Sequence, residues 1–274
     1  MINWRLYKRT ILLVYMALNF ALLDVDVLIS HSQNDFFRLE LIPLVYGPLA
    51  VIGIILKLVF SRQHWADLVF RTLMWLGIAV GLIGTYFHFA GNATSQSEPL
   101  YRLLVTSSPV AAPIAFSGVA FFTLISAHER SSRRQTKLLA LVGWGFIGSV
   151  IAAYLDHARL NFVPIYTLFP LVAGIMAGLA CLWIVYFAEE TGKKEMKVFL
   201  GIMALNLVVG LLGFIFHVLG DLAGTQTLIL ARFFYRDPLM GPLLFCDLAV
   251  LGTLSYVFEN ISETVITERT SLAS

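Results

Sequence analysis

The sequence has little charge. Only 13% of its 274 residues are Asp, Glu, Lys or Arg, whereas 58% are hydrophobic. A soluble domain carries about 25% charged residues, so this chain cannot cover itself with a polar surface. The composition therefore excludes a soluble globular protein and predicts an integral membrane protein. The net charge of +2 lies in short clusters between apolar runs, so we expect the lipid bilayer as a partner and no nucleic acid.

Cysteines and short catalytic motifs are also scarce. The two cysteines, Cys181 and Cys246, each lie within an apolar segment, which indicates small buried side chains and no disulfide framework. The sequence contains no CxxC, HExxH, P-loop or GxSxG motif. Any chemistry must therefore come from residues within the apolar segments or at their ends.

Long apolar runs fill most of the chain. A helix needs about 20 apolar residues to span a bilayer. Eight segments meet this requirement: 11–29, 41–60, 68–90, 109–127, 138–155, 162–187, 198–219 and 238–258. The sequence therefore predicts an all-α integral membrane protein with eight transmembrane helices and a polar C-terminal tail at 259–274.

The basic residues predict an orientation. Fourteen of the nineteen Lys and Arg residues fall on one side of the predicted spans. The other side carries the remaining five, Arg38, Arg102, Arg159, Arg232 and Arg236. Because Lys and Arg are enriched in cytoplasmic loops, we expect both termini to be cytoplasmic, in a cell or inner membrane.

The chain repeats itself. A shift of 129 residues aligns GTYFHFAG (84–91) with GFIFHVLG (213–220), and PVAAPIAF (109–116) with PLMGPLLF (238–245). A shift of 127 aligns LIPLVYG (41–47) with LFPLVAG (168–174). We interpret the chain as two copies of a four-helix unit, 1–137 and 138–258. An even number of spans in each copy predicts a parallel repeat.

Two longer connections, 91–108 and 220–237, contain apolar stretches that each carry an arginine, Arg102 or Arg232. This pattern predicts short amphipathic helices at the outer interface. Their arginines would face either lipid phosphates or an anionic group in a site below.

Four of the six histidines form a pattern. Each lies at a predicted outer helix end and is followed four residues later by Asp or Asn, a spacing that shares one helix face. We predict a metal site whose ligands are His31, His88, His157, His217, Asp35 and Asp221. The residues expected to support these ligands are Asn92, Asn161, Asp156, Arg102 and Arg232.

Imidazole and carboxylate ligands suit iron, copper, zinc or manganese. The sequence thus predicts a membrane metalloprotein, and redox chemistry is the expected use: electron transfer, or oxidation of a small or lipid-soluble substrate by a membrane oxidoreductase. A haem b cytochrome is an alternative, with His88 and His217 as axial ligands of one iron.

Other acidic residues lie within the apolar segments. Asp24, Asp26 and Asp247 could form a proton path, which suggests an ion- or proton-coupled transporter as a second alternative. A third alternative is a structural subunit of a complex with other membrane proteins, in which the histidine pairs would only close loops.

Overall fold

The computed structural model describes residues 4–32, 36–93, 100–106, 109–128, 134–187, 192–223 and 238–271. Within these ranges there are nine α-helices: α1 Trp4–His31, α2 Leu41–Val59, α3 His64–Ala93, α4 Leu100–Thr106, α5 Ile114–His128, α6 Arg134–Ala158, α7 Phe169–Tyr186, α8 Lys193–Leu222 and α9 Met240–Ser271. Short 3-10 helices precede α2 (Arg38–Glu40) and α7 (Ile165–Leu168). The described residues include no β-strand, so the all-α prediction is confirmed.

Seven stretches of helix are long and apolar enough to cross a membrane. They are Tyr7–His31, Arg38–Val59, His64–Gly91, Arg134–Ala158, Ile165–Tyr186, Lys193–Leu222 and Met240–Val257. This number supports an integral membrane protein. The fourth predicted span, 109–127, differs, because its apolar helix covers only Ile114–Ala127.

Two prolines explain the short fourth helix. Pro109 and Pro113 lack an amide hydrogen, and a proline disfavours helical backbone at the residue before it. The stretch from 109 to 113 therefore forms turns, with the amide of Ala112 donating to the carbonyl of Pro109 at 3.3 Å. The count of eight spans remains a prediction.

The outer surface is apolar. Large side chains such as Val45, Trp75, Leu179 and Leu219 are more than half exposed. Contiguous exposed apolar surface of this kind is unfavourable in water, but lipid tails cover it at no cost. The exposed residues therefore agree with the long apolar helices in indicating a bilayer environment.

The helices pack in two sets. In the first set, α1 packs against α2 and α5, and α3 packs against α2 and α5. In the second set, α6 packs against α7 and α9, and α8 packs against α7 and α9. Contacts of α5 with α6 and of α1 with α9 join the two sets. Each set thus surrounds its own core.

Close helix contacts in the two sets fall at matched positions. A Cβ added to Gly81 of α3 would lie 2.8 Å from the carbonyl oxygen of Pro113. A Cβ added to Gly210 of α8 would lie 2.7 Å from the carbonyl oxygen of Pro242. Both glycines let a long helix approach the start of its neighbour closely.

Hydrogen bonds at these contacts also match. The hydroxyl of Ser117 on α5 donates to the carbonyl of Ile78 on α3 at 2.8 Å. The thiol of Cys246 on α9 donates to the carbonyl of Leu207 on α8 at 3.3 Å. The residues of the second pair lie 129 positions after those of the first, as do the glycines and prolines above.

Helix α4 lies in the first of the two longer connections, where a short helix was predicted. It connects the first set to α6: the Nε–H of Arg159 donates to the carbonyl of Val105, and Tyr101 forms a side-chain hydrogen bond with Tyr154. This hydrogen bond raises the pKa of the Tyr101 phenol. Most of the second connection, 224–237, lies outside the described residues.

Candidate functional site

Two of the predicted histidines lie together at one end of the first set. His31 is the last residue of α1, and its ring centroid lies 6.0 Å from that of His88 on α3. Nδ1 of His31 lies 3.1 Å from a carboxylate oxygen of Glu40, in ion-pair contact but without hydrogen-bond alignment. We call His31, Glu40 and His88 the first histidine cluster. Asp26 interacts electrostatically with His31.

Glu40 is a member of this cluster that the sequence pattern did not predict as a ligand or support. Its other carboxylate oxygen accepts a hydrogen bond from the amide of Phe37 at 3.0 Å. This bond holds the carboxylate at the start of the 3-10 helix, beside the end of α1. The only indication in the sequence was an acidic residue close after His31 at the start of an apolar segment.

His88 and His217 are held in the same way. Nδ1 of His88 lies 3.0 Å from the carbonyl oxygen of Pro109, and Nδ1 of His217 lies 2.9 Å from that of Pro238. A carbonyl can only accept, so each Nδ1 carries the proton and donates it. In a neutral ring, Nε2 then keeps its lone pair. Metal-binding histidines are commonly oriented by such a second hydrogen bond.

The predicted spacing of four residues lies on one helix in two cases. Helix α8 continues without interruption from His217 through Asp221, and α3 continues from His88 through Asn92, despite the glycine within each stretch. Asp221 is fully buried one turn beyond His217. The side chain of Asn92 and all of Asp35 lie outside the described residues.

The third pair differs from the expectation. His157 lies in the last turn of α6, which ends at Ala158, and Asn161 follows in a turn with a φ of 51°. Asn tolerates this left-handed conformation better than most residues, so the helix ends before Asn161 and the pair shares no helix face. Asp156 pairs with Arg159, with 3.8 Å between Oδ1 and a guanidinium nitrogen.

The acidic residues of the predicted proton path occupy separate places. Asp24 of α1 faces Gly47 of α2, and within the described residues its buried Oδ1 has no hydrogen-bond partner. Asp247 of α9 forms side-chain hydrogen bonds with Tyr15 and Asn19 of α1.

The depth of Asp247 follows from its partners. Asn19 lies twelve residues before His31, or about 18 Å along the helix at about 1.5 Å per residue. Asp247 therefore joins the two sets of helices far from the first histidine cluster. Of the two arginines expected to support the ligands, Arg102 is exposed on α4 and Arg232 lies outside the described residues.

The ligand set is incomplete in the described part of the chain. Among those residues, no three His, Cys, Asp or Glu side chains lie close enough together to hold a metal ion. His31 and His88 form a pair of imidazoles with a carboxylate behind one of them. No family model, curated protein or solved structure matches this chain, so function has to be inferred from these side chains.

Proposed function

We propose that the protein is an integral membrane metalloprotein with a two-histidine metal centre in each set of four helices. The observation that carries this proposal is the matched pair of hydrogen bonds from Nδ1 of His88 and His217 to proline carbonyls. Such a bond fixes the ring and the tautomer, and it directs Nε2 with its lone pair toward a ligand. A histidine that only closed a loop would not need the same tautomer in both places.

The proposal has two centres in place of one site with four histidines. His31 and His88 would form the first centre, since their rings already lie 6.0 Å apart between α1 and α3. His157 and His217 would form the second centre, on α6 and α8. These are the helices that correspond to α1 and α3 in the repeat predicted from the sequence.

The proposed chemistry follows from the ligands. Two imidazoles suit iron or copper and leave coordination positions open for water or a substrate. Glu40 would orient His31 and balance the charge of a bound cation in the first centre. Asp221, buried one turn beyond His217, would have that role in the second. We propose electron transfer, or oxidation of a small or lipid-soluble molecule, as the activity.

The repeat itself is part of the proposal. The glycine contacts and the hydrogen bonds of Ser117 and Cys246 recur 129 positions apart, which supports two parallel copies of one four-helix unit. In such a unit, α5 and the turns at 109–113 together would make up the fourth crossing.

Metal analysis of the purified protein tests the proposal. We expect wild-type protein, purified in detergent without chelator, to contain iron or copper near two ions per chain. His88→Ala and His217→Ala should each remove about half of the metal, and the double variant nearly all of it, because each removes a ligand from one centre. His64→Ala is the matched control, since His64 is exposed at the start of α3, far along the helix from His88.

The absorption spectrum separates the alternatives. A Soret band that disappears in both single variants would favour one haem held between His88 and His217. Wild-type protein with neither metal nor haem would contradict the proposal. So would an equal loss of metal in His64→Ala.

A further inference from the structure

An open groove runs between α2 and α3 on the outer surface of the first set. Its volume is about 420 Å³. Nearly all of its lining is apolar, and the side chains that form its walls include Leu41, Ile42, Val45, Leu49, Leu73 and Leu76. Because Val45 is 62% exposed, the floor of the groove is open to whatever surrounds the helices. In a bilayer, that is a lipid chain.

One charged residue lines the groove. Arg38 belongs to the 3-10 helix before α2, so its guanidinium lies at the end of the groove nearest to the first histidine cluster. Glu40 in the same turn is already engaged by His31 and by the amide of Phe37. Within the described part of the chain, Arg38 has no acidic partner.

The combination of an unpaired guanidinium and an apolar channel selects one class of ligand. Hydrocarbon chains gain little by moving from lipid into the groove, so the walls set the shape of the ligand and not its affinity. The guanidinium binds a phosphate strongly, through paired charge-assisted hydrogen bonds. We propose that this groove binds an anionic phospholipid, with its phosphate on Arg38 and one acyl chain between α2 and α3.

The second set offers an internal comparison. At the shift of 127 residues that aligns α2 with α7, Arg38 corresponds to Ile165 and Val45 to Val172. Ile165 is 76% exposed, so the corresponding surface carries an apolar side chain where the first set has a cation. The proposed lipid site therefore belongs to the first set alone.

Lipid retention measured by native mass spectrometry tests the proposal. The probes are phosphatidylglycerol and phosphatidylcholine with identical acyl chains, added to the full-length protein in detergent. We expect wild-type protein to retain phosphatidylglycerol more tightly, and Arg38→Gln to weaken this by about fivefold, because one arginine near an anionic headgroup contributes that much. Arg62→Gln removes an equal charge at the other end of the same helix pair and should leave retention unchanged.

A second pair of variants tests the acyl chain. Val45→Trp fills the groove without changing charge and should also weaken phosphatidylglycerol retention, whereas Val172→Trp on α7 should not. Both positions are more than half exposed, so both proteins should fold. Equal retention of the two lipids by the wild type, or an equal loss in Arg38→Gln and Arg62→Gln, would overturn the proposal. Equal loss in the two tryptophan variants would do the same.

Discussion

Replacing Asp67 with alanine is expected to lower the free energy of unfolding by about 3–5 kcal/mol, because it leaves a buried cation without its partner. Lys57, in the last turn of α2, is only 6% exposed. Its ammonium pairs with the carboxylate of Asp67, in the first turn of α3, and lies 6.0 Å from the ring of Phe70. Asp67 also suits the positive end of the α3 dipole.

The measurement is reversible unfolding in mixed micelles, and two further variants show whether the buried charge is the cause. Arg71→Ala removes the exposed partner of Asp67, whose side chain is 54% exposed, and should cost at most about 1 kcal/mol. Adding Lys57→Met to Asp67→Ala should restore much of the lost stability, since an apolar side chain then replaces the unpaired ammonium. If the double variant is no more stable than Asp67→Ala, the buried charge is not what holds α2 against α3.

Gly81→Ala and Gly210→Ala are expected to destabilise the protein by similar amounts, about 1–3 kcal/mol each. At Gly81, the new Cβ would meet the carbonyl of Pro113 on the chain leading into α5. At Gly210, it would meet the carbonyl of Pro242 on α9, also at under 3 Å. Backbone atoms cannot rotate away, so the helices must separate.

Gly118→Ala is the control, because a Cβ there meets no atom within 4 Å. Alanine favours helix over glycine by about 1 kcal/mol, so this variant should be neutral or more stable. The same unfolding measurement compares all three variants. A large loss at Gly81 with none at Gly210 would argue against the repeat, which predicts equivalent contacts in both sets.

The variant Gly81→Ala should also affect the proposed metal centre. The contact between α3 and the start of α5 sets the distance from His88 to the carbonyl of Pro109. Moving the helices apart would release the Nδ1 hydrogen bond, so metal retention should fall along with stability. The equivalent change at Gly210 should act on His217.

Much of the architecture follows from the sequence alone. Charge scarcity and apolar runs near 20 residues determine a membrane protein made of helices, because no other structure satisfies the backbone in lipid at that length. The positions of His88 and His217 on long helices follow from the same runs. The repeated phrases around Gly81 and Gly210 predicted matched positions, and the contacts at those glycines do match.

Only the tertiary structure decided which side chains meet. The spacing of histidine and Asp or Asn suggested pairs along one helix, but the partners found for His31, His88 and His217 come from other segments: Glu40, Pro109 and Pro238. Backbone carbonyls leave no trace in residue identity, so the last two could not be predicted. The partners of Lys57 and Asp247 likewise depend on how neighbouring helices face each other. Helix length and polarity are local properties of the chain, whereas the rotation of one helix against another depends on packing over its whole length.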